Sequence, residues 1–191
     1  MPDPNRALDN APPYQALSYA WGHGRGYRNI YLEGYLYRVT ENLAAALQQL
    51  SQPRSGVQLI WIDAICINQQ DPQERNHQVS KMRAIYDQVE CVMIWLGPAD
   101  EHSYRALELS RSLILHDETG QDSSQLINDP AKRSQFRGFQ MLLQRPHWSR
   151  ILVIQEVNSA KKGIVMCGPD SITWTDLLRA QNIINSNRSA L

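Results

Sequence analysis

The sequence lacks the features that mark several large classes of protein. It has no apolar run of the roughly 20 residues that a membrane-spanning helix needs. Its first 13 residues, MPDPNRALDNAPP, are proline-rich and polar, without the apolar core of a signal peptide. The 19 basic and 19 acidic residues cancel, so no excess charge indicates nucleic acid or an anionic membrane as partner. We therefore expect a cytoplasmic protein with no membrane span and no nucleic-acid partner.

Cysteine is also scarce. The 3 cysteines, Cys66, Cys91 and Cys167, are far apart, and each lies in an apolar segment. An odd number of isolated cysteines disfavours a disulfide framework, and no C-x-x-C or H-x-x-x-H pair indicates zinc. We expect three buried thiols that behave as small hydrophobic side chains, and neither a metal nor a bound cofactor.

The sequence does contain apolar strands that alternate with amphipathic helices. Residues 57–67 and 91–96 are apolar at nearly every position, and a helix is predicted after each. Strands without an apolar–polar alternation are typical of a parallel sheet covered on both faces. We predict an α/β fold of the flavodoxin-like kind, as a single domain over residues 14–191 behind a flexible lead at 1–13.

The remaining elements follow from caps, turns and periodicity. Thr40 and Asp71 are predicted helix caps, and proline follows Asp71 at the first helical position. Val79 is placed on the apolar face of the second helix. The other predictions are a strand at 14–19, hairpins at 29–39 and 163–174, helices at 40–50, 71–89, 101–116, 134–144 and 175–185, and a polar loop at 117–133.

Asp63 stands out because it places a carboxylate inside the apolar run L-I-W-I-D-A-I-C-I. A buried carboxylate is costly unless it is hydrogen-bonded or paired. Two roles are open for Asp63. It accepts N–H groups of its own loop or pairs with Arg75, which is a structural role, or it faces a pocket and contacts a ligand. In open α/β sheets ligands bind beyond the carboxyl ends of strands, so the loops after Tyr19 and Ile67 are the candidate sites.

Four residues in these two loops are candidate ligand contacts. Trp21 can stack on a base or ring, and Gly22 can let the backbone approach a phosphate or ribose; the alternative is a packed turn. Asn68 and Gln69 suit a ribose or an amide, and equally suit loop backbone. Arg75, in the first turn of a predicted helix, is available for a phosphate or for Asp63.

Several segments, in order along the chain, resemble the HET domain, which is named after heterokaryon incompatibility in filamentous fungi. The similarity extends over most of residues 14–175. The segments are Y-x-A-L-S-Y-x-W-G (14–22), W-I-D-A-I-C-I-N-Q with D-x-x-E-R (61–75), Q-V-x-x-M-x-x-I-Y (78–86), V-x-x-W-L-G (92–97), and W-S-R followed by Q-E-V (148–157).

This resemblance implies a self/non-self recognition effector whose activation causes cell death, and a TIR-like version of the predicted fold. Enzymatic TIR domains cleave NAD with a glutamate that follows a tryptophan by four residues on a helix. The matching glutamate here is Glu156, after Gln155, whereas Leu152 stands where HET sequences usually have tryptophan. Leucine offers apolar surface but no stacking face.

Cleavage of the nicotinamide–ribose bond passes through an oxocarbenium-like cation, and nicotinamide leaves as a neutral molecule. One carboxylate held against the ribose can stabilise that cation. If residues 148–158 form a helix, Trp148, Leu152 and Glu156 share one face, as an apolar wall that ends in a carboxylate. Trp148, Leu152 and Gln155 are then expected to contact the substrate. In the alternative, Glu156 caps the helix or pairs with Arg150 or Lys161.

Two functions remain open from the sequence. The first is an NAD glycohydrolase, with NAD as substrate, Glu156 as catalytic residue, and activity that appears when the protein forms a homo-oligomer. The second is a non-catalytic module that signals death by self-assembly or by recruiting a partner. A sensor domain is the partner expected in either case.

Overall fold

The protein is described by a computed structural model that covers residues 11–22, 26–52, 59–150 and 162–188. Its strands form a five-stranded sheet and a separate two-stranded hairpin. The strands are β1 (Gln15–Tyr19), β2 (Tyr27–Leu32), β3 (Tyr35–Thr40), β4 (Ile60–Trp61), β5 (Cys91–Trp95), β6 (Gly163–Cys167) and β7 (Asp170–Thr173).

The main sheet has the order β4-β1-β5-β6-β7. The pairs β1–β4, β1–β5 and β5–β6 are parallel, and β6–β7 is an antiparallel hairpin. Counted along the chain, this is the 2-1-3-4-5 order of flavodoxin-like sheets, with the last strand reversed. The prediction of a mostly parallel α/β sheet is confirmed. The order reverses between β1 and β5, so ligands of sheets of this kind are expected beyond the carboxyl ends of these two strands.

Seven α-helices occur in the described ranges, together with two 3₁₀ helices at Pro130–Lys132 and Pro146–Ser149. The α-helices are α1 (Glu41–Leu50), α2 (Asp63–Cys66), α3 (Pro72–Gln88), α4 (Glu101–Glu118), α5 (Ser123–Ile127), α6 (Arg133–Leu143) and α7 (Trp174–Arg188). The predicted caps form: Thr40 accepts the N–H of Leu43, and Asp71 accepts those of Gln73 and Glu74. None of these helices combines the length and apolarity that crossing a bilayer requires.

β4, β1, β5 and β6 each send apolar side chains to both faces of the main sheet. On β1, Ala16 joins the core beneath α3, α4, α6 and α7, whereas Leu17 and Tyr19 join the core beneath α1. The β2–β3 hairpin turns at Glu33 and Gly34, which both have positive φ, as a two-residue turn requires. Val39 ties this hairpin to the α1 side of the sheet.

Three predicted elements differ from the structure. The strand expected over 57–67 is regular, within the described residues 59–67, at Ile60–Trp61, because Asp63 starts the helical turn α2. A short apolar run fits a strand and a buried helical turn equally well. The loop expected at 117–133 holds α5 and a 3₁₀ helix. Val79 was expected on an apolar stripe, but it is 49% exposed on α3.

The cysteine prediction is partly wrong. Cys91 and Cys167 are buried, but Cys66 is exposed at the end of α2. In a continued strand Cys66 would lie on a covered face of the sheet. The helical turn α2 moves it away from that face. Among the described residues, the cysteines are free thiols.

A substitution at Gly138 tests how closely α6 packs on α4. A Cβ at this position would lie 2.6 Å from the carbonyl oxygen of His102 and 3.3 Å from the nitrogen of Ala106. We expect Gly138→Ala to lower the free energy of unfolding by about 1–2 kcal/mol, because the clash outweighs the gain in helix propensity. Gln140→Ala, on the exposed face of α6, is the control for urea denaturation. Equal or greater stability of Gly138→Ala would contradict the packing described here.

Candidate functional site

A cavity of about 750 Å³ lies between the β2–β3 hairpin and the segment that follows β4. It brings together three residues predicted from the sequence: Trp21, Asn68 and Gln69. The rest of its lining comes from β1, the hairpin, α1, α2, the loop after α2 and the start of α3. These residues are Tyr19, Tyr27, Tyr37, Arg38, Val39, Thr40, Leu43, Ala64, Ile65, Cys66, Ile67, Gln70 and Glu74.

Asp63 and Trp21 join the two loops that border this cavity. The indole Nε1 of Trp21 donates a hydrogen bond of 2.9 Å to Oδ2 of Asp63. The other oxygen, Oδ1, accepts the backbone N–H of Ala64 at 2.7 Å. Asp63 is 9% exposed, whereas Trp21 is 40% exposed and lines the cavity. The buried carboxylate therefore fixes the orientation of an accessible aromatic ring.

This arrangement differs from the ion pair considered for Asp63. Arg75 lies exposed on α3, and no ion pair joins it to Asp63 in the described part of the chain. The hydrogen bond to Ala64 does match the interpretation in which Asp63 accepts an N–H group of its own loop. The indole partner is 42 residues away in the sequence, so proximity along the chain did not indicate it.

Burial raises the pKa of Asp63 above its usual value. The hydrogen bond from Trp21, the positive charge of Arg150, and the N–H of Ala64 act in the opposite direction on the same pKa, with a further contribution from the Tyr19 hydroxyl. Tyr19 has a raised pKa as well, because it is buried and lies beside Asp63. The cluster therefore concentrates titratable groups at one end of β1, as functional sites do.

The amide side chains of the loop after α2 are half engaged. Nε2 of Gln69 donates to the carbonyl oxygen of Asp63 at 3.0 Å, and Oδ1 of Asn68 accepts the N–H of Gln70 at 3.1 Å. Oε1 of Glu74 accepts the N–H of Asn68. These bonds hold the loop in shape. Among the described residues, Nδ2 of Asn68 and Oε1 of Gln69 have no hydrogen-bond partner, so both can bind a ligand.

Residues 145–150 cross the carboxyl ends of β1 and β5. Arg145 donates to the carbonyl oxygens of Leu96 and Pro98 and pairs with Asp100 at 2.6 Å. At the other end, Arg150 donates to the carbonyl oxygen of Tyr19. This segment lies at the point where the strand order reverses, a position that its local sequence pattern did not indicate.

A buried pair, Ser18 and His147, fastens the same segment to β1. Oγ of Ser18 lies 2.8 Å from Nε2 of His147, and the histidine is 1% exposed. Burial, followed by the charge of Arg150, lowers the pKa of His147 to about 3. The imidazole is therefore neutral at physiological pH. Its burial excludes substrate from Ser18, so the pair is a structural fastening and not a nucleophile with its base.

Trp148 belongs to the core and not to the cavity. It stacks on Trp174 with ring centroids 5.6 Å apart, and its Nε1 donates to the carbonyl oxygen of Leu142. It lies in the 3₁₀ helix Pro146–Ser149, and Arg150 has extended backbone angles. The helix considered over residues 148–158 therefore cannot run unbroken from Trp148, because the helical path ends at Arg150.

The other predicted site residues lie beside Trp21, outside the cavity lining, or outside the described residues. Gly22 follows Trp21 with a φ of +81° and open space at its α-carbon. Arg75 is on the exposed side of α3, outside the cavity lining. Leu152, Gln155 and Glu156 lie outside the described residues, as does Lys161. No cluster of metal-ligating side chains is found within the described ranges.

A second cavity, of about 720 Å³, lies between α4 and α7. The basic residue in its described lining, Arg179, is already engaged, because it bonds to Asp117 at 2.8 Å. Its described lining has no aromatic ring and no residue of a strand. The cavity beside Trp21 is therefore the better candidate site.

The Asp63–Trp21 contact predicts how Asp63 variants behave. We expect Asp63→Ala to lower the free energy of unfolding by about 1–3 kcal/mol, because two N–H groups lose their acceptor. The loss should shrink in a Trp21→Phe background, which lacks one of those N–H groups. Urea denaturation of the four proteins in this double-mutant cycle measures the coupling. Strictly additive losses would contradict the contact.

The lowered pKa of His147 predicts that the folded protein loses stability in acid. The unfolded chain takes up a proton near pH 6.5, whereas folded His147 stays neutral down to about pH 3. The free energy of unfolding should therefore fall as pH drops through this window, by up to about 1.4 kcal/mol per pH unit from this group. His147→Gln should remove that part of the slope in urea denaturation between pH 3.5 and 8. An unchanged slope would show that His147 is not its source.

Comparisons with known proteins agree on one family. The model for the family described as Heterokaryon incompatibility protein (HET) matches residues 14–156. Heterokaryon incompatibility protein 6, OR allele, from Neurospora crassa is 38% identical over 109 residues. That match covers 51% of this chain and 16% of the relative's length. No solved structure matches significantly. The chain therefore belongs to the HET (heterokaryon incompatibility) family.

Proposed function

We propose that this chain acts as an effector domain in heterokaryon incompatibility, a form of programmed cell death in fungi, by hydrolysing NAD. The cavity beside Trp21 is the observation that carries the proposal. Its volume of about 750 Å³ lies within the range of about 300–1,000 Å³ typical of small-molecule sites. Trp21 provides a ring for stacking, and Asn68 and Gln69 provide an unengaged donor and acceptor for a carboxamide or ribose hydroxyls.

Glu156 is the proposed catalytic residue, although it lies outside the described residues. It follows Arg150 by six positions, and six residues span at most about 21 Å. Arg150 donates to the carbonyl oxygen of Tyr19, and Tyr19 lines the cavity. The covalent path from Arg150 is therefore long enough to bring the Glu156 carboxylate to a ligand in the cavity.

The proposed reaction needs one carboxylate and one water molecule. The bond between the ribose carbon and the nicotinamide nitrogen breaks, and its electron pair leaves with neutral nicotinamide. Glu156 stabilises the ribosyl cation, water adds to that carbon, and a proton is released. The products are nicotinamide and ADP-ribose. No general acid is needed, because the leaving group departs uncharged.

A second function rests on a different observation. The β2–β3 hairpin exposes Tyr31, Tyr35 and Leu36, at 75%, 71% and 57% of their surfaces. Exposed aromatic side chains on a hairpin whose outer edges pair with no other described strand suit contact with another protein chain. A non-catalytic module that signals by self-assembly would use this surface and would not need Glu156.

An NAD assay separates the two functions. Purified protein, at high concentration and after forced clustering, should release nicotinamide and ADP-ribose from NAD. Glu156→Gln should lower the rate by about 10²-fold or more, because it removes the charge that stabilises the cation. Glu90→Gln, an exposed glutamate before β5, is the matched control and should leave the rate unchanged. Absence of nicotinamide release in every condition, with Glu156→Gln as toxic to cells as the native chain, would favour the non-catalytic function.

A further inference from the structure

Arg38 and Tyr27 form a pair on the hairpin wall of the cavity. In the β2–β3 register Tyr27 faces Thr40 and Asn29 faces Arg38, so Tyr27 and Arg38 are diagonal neighbours on one face. The guanidinium carbon of Arg38 lies 4.5 Å from the centroid of the Tyr27 ring. Both residues line the cavity. This contact is a cation–π interaction, which restricts the guanidinium to the aromatic face.

Arg38 differs in its partners from Arg28 on the same hairpin. Nε of Arg28 lies 3.7 Å from a carboxylate oxygen of Glu41. Arg38 has no carboxylate and no hydrogen-bond acceptor as partner among the residues that the structure describes. Its donors therefore face solvent and the cavity, while its position is held by the Tyr27 ring.

No carboxylate of the described cavity lining pairs with Arg38 directly. Arg38 is the one basic residue and Glu74 the one acidic residue in that lining, as far as the chain is described. Glu74 caps the turn after α2 by accepting the N–H of Asn68, on the side opposite the hairpin. A guanidinium held on an aromatic ring, with its fork of donors unused, has the geometry that binds phosphate in a bidentate manner.

We propose that Arg38, held by Tyr27, forms an anion subsite that takes a phosphate group of a nucleotide bound in the cavity. The identification of that nucleotide as NAD rests on the proposed function. In NAD the pyrophosphate lies between two ribose groups. With the pyrophosphate at Arg38, the nicotinamide end is free to reach Asn68 and Gln69 across the cavity. Arg38 thus selects phosphate-bearing ligands over plain nucleosides and orients them.

Binding measurements with three probes test the subsite. ADP-ribose, inorganic pyrophosphate and adenosine are titrated into the protein by calorimetry. Arg38→Gln should weaken ADP-ribose binding by roughly tenfold to a hundredfold, which is the value of hydrogen bonds to a charged group. In the native protein pyrophosphate should compete with ADP-ribose, and Arg38→Gln should abolish that competition. Adenosine binding should not change. Arg38→Lys keeps the charge but not the fork, so its affinity for ADP-ribose should lie between those of the native protein and Arg38→Gln.

Arg28→Gln is the matched control, because it removes an equal charge from the same hairpin outside the cavity lining. It should leave the affinity for all three probes unchanged. The subsite is refuted if Arg38→Gln binds ADP-ribose as tightly as the native protein, if it weakens adenosine equally, or if the native protein binds neither phosphate compound.

The subsite and the proposed function fail in different ways. Binding of ADP-ribose that depends on Arg38, without nicotinamide release from NAD, would support the subsite and contradict NAD hydrolysis. Hydrolysis of NAD with the same KM in Arg38→Gln and in the native protein would support the enzyme and refute the subsite.

Discussion

The hydrogen bond from Trp21 to Asp63 is the contact on which the rest of the candidate site depends. It joins the loop after β1 to the helical turn after β4, two segments that are 42 residues apart. Asp63 makes two further hydrogen bonds in the same place. Its Oδ1 accepts the backbone N–H of Ala64, and its backbone carbonyl oxygen accepts a hydrogen bond from Nε2 of Gln69. Asp63 therefore fixes the orientation of the indole ring, the start of α2 and the position of one amide side chain of the cavity wall.

This arrangement has a cost in stability. A buried carboxylate is poorly solvated, and its raised pKa records that penalty. The folded chain holds a proton on Asp63 to higher pH than the unfolded chain does, so raising the pH through that window removes stability. The donors Trp21 and Ala64 and the charge of Arg150 offset part of the cost. A group kept under such opposing influences is more typical of a ligand site than of an ordinary core.

Most of the fold was predictable from local patterns, but the site was predictable only in part. Apolar strands, the Glu33-Gly34 turn and the caps at Thr40 and Asp71 are encoded within a few residues. The partner of Asp63, the Ser18–His147 pair and the Arg150 contact join residues 42, 129 and 131 positions apart, so no local pattern contains them. Trp148 was expected to face a ligand, but it stacks on Trp174 in the core, a contact between separate parts of the chain.

The central claim is that the cavity beside Trp21 binds NAD. The protein has 5 tryptophans, and their indole N–H groups give separate NMR signals that report on five places in the fold. Trp21 lines the cavity, whereas Trp95 bonds to Asn42 and Trp148 to the carbonyl oxygen of Leu142. Titration with NAD should therefore shift the Trp21 indole signal and leave those of Trp95 and Trp148 in place. A saturating titration that leaves the Trp21 signal unmoved would contradict the account.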